Sequence, residues 1–463
     1  MFYAFFLFFV VAFVVSWSIC RLIRRFAPTL GLIDKPGERK IHQNPVPTGG
    51  GIGVWLGVLT PFLALTAAAL GLGNLTESGA VDPATSTLWG VPLSRFPLFF
   101  ATHVGGVGLQ LGRLWTLLGL GSLLVLLGTL DDRFNLDWKP RLAVEFLIAI
   151  VAVACGWRAT FFLDLPILTA IVSVFWIVGL INSFNMLDYM DALSGGVATI
   201  CALFLAAIAL CFAPNPISGE PQYFLGGFLT TLAGALLGFL VLNRPPAKLF
   251  MGDGGAYFVG FLLATTTLSL TFVGDDAPPC AILAPLCILA VPLYDFFSVV
   301  TIRLKNGASP FVGDKNHYSH RLVALGLSKP QAVATIYLTT AVCACGAFYL
   351  YRADWPLAFL ATAQTFLILT LVAILEFAAR KKIRAEEAAL RDAQALSPSE
   401  NAETETNAET ETNAKTETNA NAKANAETSA SSDKVDETET KTPQTAVDAT
   451  GAALPTPQNN ASK

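Results

Sequence analysis

Long apolar runs recur along the first 378 residues, separated by short polar stretches. They lie near 1–20, 49–72, 114–130, 140–156, 164–182, 192–213, 224–243, 255–274, 280–302, 331–351 and 356–378. A bilayer core takes a helix of about 20 apolar residues. The pattern therefore predicts an all-α, polytopic integral membrane protein with about eleven transmembrane helices. The first run has no charged leader, and Arg21, Arg24 and Arg25 follow it where a signal peptide would have a small-residue cleavage site. It reads as a span.

Beyond Phe377 there is no aromatic residue, and NAETET-like units repeat with almost no large apolar side chains. Such a segment cannot bury enough surface to offset its ordering entropy. The expected organisation is a transmembrane domain over 1–384 and a disordered, low-complexity acidic tail over 385–463. An acidic interaction segment is the alternative reading of the tail.

Composition agrees with lipid as the main solvent. Of 463 residues, 53% are hydrophobic and 14% charged, against about 25% charged in soluble chains. Mean hydropathy is +0.56. The net charge of -4 comes from a tail of 12 acidic and 5 basic residues (396–463) and a remainder of 22 acidic and 25 basic. No basic stripe marks a nucleic-acid partner. The eight cysteines sit in or beside apolar runs without zinc spacing, and read as small packing residues.

Lys and Arg set the expected orientation. The loops 21–48, 131–141, 183–191, 244–254, 303–330 and 379–384 carry twenty basic residues; the opposite set carries Arg95, Arg113, Arg158 and Arg352. The first set is expected to be cytoplasmic. That puts the N-terminus outside and the tail inside an inner cell membrane.

Candidate chemistry gathers in that basic set of loops. Asp131 and Asp132 end the third run; adjacent carboxylates there serve either solubility or a cation. In NSFNMLDYMDALSGG, Asn182, Asn185, Asp188 and Asp191 recur every three residues, as one face of a helix would. They line a cavity or tie helices together. Asp253 follows FMG among Gly252, Gly254 and Gly255, near Lys248, and reads as a helix N-cap or as a metal or phosphate residue. The loop RLKNGASPFVGDKNHYSHRL sets His317 and His320 among Arg303, Lys305, Lys315 and Arg321, a group suited to an anionic, phosphate-bearing substrate. The first loop, DKPGERKIHQNPVPTGGG, holds His42 and reads as a shaped turn.

Taken together these motifs resemble the polyprenyl-phosphate N-acetylhexosamine-1-phosphate transferases, glycosyltransferase family 4, over roughly residues 1–380. The Asp34–Gly51 loop, Asp131-Asp132 with Lys139 downstream, Asn182 through Asp191, FMGD at Asp253 and the SPF…D…H…HRL run from Ser309 to Leu322 carry the resemblance. It implies a membrane enzyme of ten or eleven helices. Such an enzyme moves a sugar-1-phosphate from a UDP-N-acetylhexosamine to polyprenyl (undecaprenyl) phosphate and releases UMP. This is the first membrane step of a cell-envelope glycan pathway. The implied cofactor is Mg²⁺, with Mn²⁺ as the alternative.

By position, Asp131 and Asp132 fall at the acceptor phosphate, and Asp253, with Asp188, at the metal. The catalytic set is Asp131, Asp132, Asp188, Asp191, His317 and His320. The substrate-binding set is Lys139, Asn182, Asn185, Lys248, Arg303, Arg321 and His42. The sequence departs from the family pattern at Tyr189 and Ala192, where glycines are usual, at Gly254, at Glu145, and at Tyr318-Ser319 between the histidines. Lack of a triple-histidine run favours the GlcNAc branch over phospho-MurNAc-pentapeptide transfer. A secondary transporter is the reading from another class, and a non-catalytic scaffold recruiting partners through its tail is a third. Whether two chains form a homodimer is left open.

Overall fold

The computed structural model describes residues 2–34, 45–77, 87–88, 91–92, 104–159, 165–213, 219–270, 279–311, 313–314, 316–351 and 354–396. His42 and the tail from 397 onward lie outside the described residues. The chain divides into two units, Met1–Lys382 and Ile383–Lys463. The residues of the site lie in the first.

Every one of the eleven apolar runs carries helix. In chain order these are α1 (Phe2–Leu30), α2 (Gly50–Glu77), α3 (Val104–Phe134), α4 (Trp138–Ala154), α5 (Pro166–Leu187), α6 (Leu193–Cys211), α7 (Tyr223–Asn243) and α8 (Gly252–Ser269). There follow a 3-10 turn (Pro279–Leu283), α9 (Ala284–Ile288), α10 (Ala290–Lys305), α11 (Tyr318–Ala324), α12 (Lys329–Tyr349) and α13 (Trp355–Leu396). Two small antiparallel pairs, β1–β2 (Ile33–Asp34 with Val46–Pro47) and β3–β4 (Thr87–Leu88 with Val91–Pro92), complete the described elements.

The expected count of eleven spans is not met in full. Among the described residues, eight helices are long and apolar enough to cross a membrane, or nine if one bent pair is a single span. That pair breaks the expected run 280–302: Cys280–Ile288 and Ala290–Lys305 meet at 68°. Pro292 accounts for the restart, because a proline is tolerated only where no intrahelical N–H is needed, and here it falls in the first turn of α10. Helix α4 has 17 residues, about 25 Å at 1.5 Å per residue, against a core of about 30 Å.

Helix α8 falls short for a different reason. From Gly254 to Thr267 every residue is buried. It packs on α2, α3, α5 and α6, so protein rather than lipid surrounds it. Polar residues are then tolerated where their hydroxyls find partners. Thr265 and Thr266 donate to carbonyls one turn back, at 2.7 Å each, and Thr267 accepts the Trp176 indole N–H at 3.0 Å.

Small residues let α8 sit this deep. A Cβ built on Gly128 of α3 would lie 2.2 Å from the Gly254 nitrogen and 2.5 Å from the Asp253 carbonyl carbon. The backbones of α3 and α8 therefore touch at the level of the Asp131–Asp132 pair. The neighbouring chain is fixed by main-chain bonds. Phe250 N–H donates to Pro47 at 2.9 Å, Gly50 N–H to Phe250 at 2.9 Å and Gly51 N–H to Met251 at 2.8 Å. The FMGD segment and the end of the first loop are thus one hydrogen-bonded unit.

Candidate active site

Three helix ends meet here: the C-terminus of α3, the C-terminus of α5 and the N-terminus of α8. Asp131 and Asp132 occupy the last turn of α3. Asp131 is buried and its oxygens are engaged. Oδ2 accepts from Arg141 Nη1 at 2.6 Å and from the Tyr257 hydroxyl at 3.1 Å, and Oδ1 accepts the Leu136 N–H at 2.9 Å. Asp132 is only half-buried. Its Oδ1 accepts the Asp253 N–H at 3.2 Å. A Cβ on Gly252 would lie 2.3 Å from Asp132 Oδ2, and Gly252 has φ +75°. Both its conformation and its neighbour require glycine there.

Asp253 lies in the first turn of α8, but Met251 is the N-cap and no side chain caps the helix. The capping alternative is therefore not what the structure shows. The Asp253 carboxylate instead accepts Asn185 Nδ2–H at 2.7 Å through Oδ1, while Oδ2 is 4.0 Å from Arg141 Nη1.

The sequence suggested that Asp188 and Asp191 share a helix face. The structure corrects this: α5 ends at Leu187, Asp188 is its C-cap, and Asp191 lies in the turn beyond. The turn reverses through Ala192, whose φ of 64° is left-handed, a conformation costing a non-glycine residue about 1–2 kcal/mol. Its N–H donates to Asn243 Oδ1 at 2.8 Å and its carbonyl accepts from the Tyr337 hydroxyl. Asp191 Oδ2 accepts the Ala247 N–H at 2.9 Å and so pins the NRPPAK loop. Asp188 faces the other acids: burial first, then the Asp253 and Asp191 charges, push its carboxyl up to about 7.

Asn182 is turned away from this group. It donates to Glu145 Oε2 at 2.5 Å and to the Val178 carbonyl at 3.0 Å. Lys139 and Lys248 are exposed, and the Lys139 ammonium lies 5.8 Å from the Trp138 ring.

Tyr189 carries the site across to the histidine loop. Its ring lies 4.2 Å from that of His317 and 5.9 Å from that of His320. Trp138, at the start of α4, stacks on Phe311 at 3.9 Å and 5°. Arg303 and Arg321, expected to bind substrate, are buried braces of the loop. Arg303 donates to the Pro310 carbonyl at 2.6 Å and to Asp314 at 3.2 Å. Arg321 pairs with Glu376 at 2.8 Å and donates to the Asn316 carbonyl at 2.6 Å and the Ser298 hydroxyl at 2.8 Å. Burial works against ionisation of Asp314, but the hydrogen bonds from Arg303 and Asn316 outweigh it and hold that carboxyl below its usual range.

The structure thus gathers Asp131, Asp132, Asn185, Asp188 and Asp253, with His317 and His320 adjoining through Tyr189. Arg141, Tyr257, Asp295 and Glu376 also build this region, and motif reading did not single them out. Each is a polar group inside or beside an apolar run, and the rule that an intramembrane ionisable residue is functional by default was the signal available for three of them.

Among the described residues, no three carboxylates, thiols or imidazoles converge into a ready metal cage. A hard cation such as Mg²⁺ takes one or two carboxylates and fills its shell with water and substrate phosphate oxygens. The crowded acids around Asp188, all oxygen donors, fit such an ion.

Comparison with known proteins places the chain. The sequence profile of glycosyl transferase family 4 matches residues 114–271. The chain is 31% identical over 342 residues to a probable undecaprenyl-phosphate N-acetylglucosaminyl 1-phosphate transferase of Bacillus subtilis, covering 71% of this chain and 81% of that protein. It is 29% identical to an undecaprenyl-phosphate alpha-N-acetylglucosaminyl 1-phosphate transferase of Yersinia pestis, over 72% of this chain and 80% of that one. A decaprenyl-phosphate N-acetylglucosaminephosphotransferase of Mycobacterium tuberculosis is 28% identical over 70% of this chain and 77% of its own. With its helix-end carboxylates lying inside the matched region and two thirds or more of each relative covered, the chain belongs to the polyprenyl-phosphate N-acetylglucosaminyl 1-phosphate transferases of glycosyl transferase family 4.

Proposed function

We propose that this chain transfers N-acetylglucosamine-1-phosphate from UDP-GlcNAc to a polyprenyl phosphate such as undecaprenyl phosphate, releasing UMP. The carrying observation is the convergence of Asp132, Asp188 and Asp253 from three helix ends beside a histidine loop. An oxygen of the lipid phosphate attacks the sugar-bearing phosphorus of the diphosphate, and the bond to UMP breaks. Such a transfer needs positioning and charge neutralisation more than covalent help.

Asp253 and Asp188 would hold Mg²⁺, which supplies charge neutralisation on the diphosphate and the departing UMP. Asp131 accepts three donors already, which makes it a poor base and a good anchor. Asp132, half-buried, meets the acceptor phosphate. That phosphate, with a second pKa near 6, is already mostly ionised, so no general base is required. Asn185 holds Asp253 in place, Asp191 fixes the NRPPAK loop, and Lys139 and Lys248 supply exposed positive charge at the rim. His317 and His320 meet the sugar and diphosphate. The buried braces Arg303 and Arg321 act through the shape of the histidine loop. Purified protein given undecaprenyl phosphate and a panel of UDP-sugars should release UMP with UDP-GlcNAc. No release with any UDP-N-acetylhexosamine would overturn the reading.

The metal assignment makes a pH prediction. Burial and the neighbouring Asp253 and Asp191 charges push the Asp188 carboxyl up to about 7 in the folded chain, from about 4 when unfolded. A carboxyl so raised favours the folded state at low pH, and that contribution is lost as pH rises from about 4 through 7. Mg²⁺ must displace the proton, so its affinity, read by thermal shift in Mg²⁺ titrations, should be about tenfold weaker at pH 6 than at pH 8. Asp188→Asn should flatten that dependence. An affinity independent of pH would remove Asp188 from the metal.

The Lys and Arg asymmetry supports a site on the cytoplasmic side of the membrane, with the N-terminus outside and the tail inside. A cysteine introduced near Thr85 should be labelled from outside the cell, and one after Lys382 should not. The reverse pattern would put the site on the wrong side for a nucleotide-sugar.

A further inference from the structure

His317 is held by more than the walls of a cleft. It is 1% exposed, and its Nδ1 lies 2.9 Å from Oδ2 of Asp295 on α10. The other oxygen of that carboxylate, Oδ1, accepts the Tyr318 N–H at 2.5 Å. Asp295 is itself fully buried. The opposite ring nitrogen, His317 Nε2, is buried with no hydrogen-bond partner among the described residues. Tyr189 lies against the imidazole at 4.2 Å between ring centres, so the plane of the ring is fixed as well as its hydrogen bond.

The donor pattern follows from this geometry. A carboxylate only accepts, so the hydrogen between the two groups belongs to Nδ1. In the neutral ring Nε2 then carries the lone pair. A buried ring nitrogen left without a partner is costly, and a hydroxyl donor that meets it removes that cost. A nucleotide-sugar brings several hydroxyls into the region that Tyr189 joins to Asp188.

We propose that Asp295 is a positioning residue. It locks His317 in the Nδ1–H tautomer and so presents Nε2 to the substrate as an acceptor for a sugar hydroxyl. The orienting partner of an imidazole decides which of its nitrogens is available. This rests on the transferase reading above.

The chain has four histidines, so the imidazole ¹⁵N spectrum of full-length protein labelled at histidine is simple, and the His317 signal is the one lost in His317→Gln. It should show hydrogen on Nδ1. Asp295→Asn reverses the pattern. Its single carbonyl must face the Tyr318 N–H, its NH₂ then faces Nδ1, and His317 is driven to the Nε2–H form. kcat/KM for UDP-GlcNAc should fall about 10–100-fold, the usual effect of losing an orienting partner. In the double variant Asp295→Asn/His317→Gln the rate should fall no further than in His317→Gln alone, because one residue acts through the other.

An Nε2–H signal in the unmodified protein would overturn the proposal, even if Asp295→Asn does not fold. So would parental kcat/KM in a folded Asp295→Asn, or losses that multiply in the double variant, which mark a purely structural role. If the unmodified chain releases no UMP, the transferase reading fails. The tautomer signal, read without turnover, still decides whether Asp295 fixes the ring.

Discussion

Replacing Asp253 by Asn should abolish transferase activity while leaving the protein folded. The Asn185 amide donates to Asp253 Oδ1, and an asparagine carbonyl accepts that bond equally well. The helix start loses nothing, since Met251 rather than Asp253 is the N-cap. What disappears is one negative charge at the place proposed for the metal. A lost divalent-metal ligand costs several kcal/mol of transition-state stabilisation, on the order of a thousandfold in rate or more. UMP release at saturating Mg²⁺, beside the melting temperature of the same sample, checks this. Near-normal turnover would move the metal to Asp131 or Asp132, and Asp131 is already filled by three donors.

Arg141→Met should damage both fold and activity. The guanidinium lies 2.6 Å from Asp131 and 4.0 Å from Asp253, so it is the cation between two acids on different helices. Removing Arg141 leaves the buried Asp131 carboxylate uncompensated, and because the guanidinium is partly exposed the cost falls below the figure for a fully buried pair, about 3–5 kcal/mol. Thermal unfolding should shift down markedly, and turnover should drop with it because the Asp131 anchor is released. Arg141→Lys should recover stability only in part, since an ammonium offers charge without the planar fork. A methionine variant that melts like the parent would show that the Asp131–Arg141 contact carries no net stability.

Much of the carboxylate site was legible because its residues interrupt apolar runs at their ends. Asp131-Asp132 and FMGD are conspicuous where polar groups begin. The helix-face reading of Asp188 and Asp191 failed on local backbone chemistry: a left-handed residue at position 192 is written as alanine, and only glycine would have announced it. Arg141, Tyr257 and Asp295 were hidden by distance. Tyr257 meets Asp131 across 126 positions and Asp295 meets His317 across 22, and spacing rules reach only a turn or two. Arg303 and Arg321 were legible as charges, but not as braces. Whether a guanidinium faces substrate or a carbonyl on its own loop depends on packing that no local pattern encodes. The count of eleven spans is not confirmed in full, because length and apolar composition take lipid as the solvent of every helix. For α8 the solvent is protein.

That enclosure bears on how the enzyme is made. A segment with as many glycines and threonines as α8 has little to recommend it to the lateral exit of an insertion channel, and it gains its environment from α2, α3, α5 and α6, all made before it. Asp253 stands on its first turn. The seating of α8 among those four helices and the meeting of Asp253 with Asp132 and Asn185 are then one event. A chain in which α8 is not yet seated lacks both contacts, so on the proposed assignment it should release no UMP.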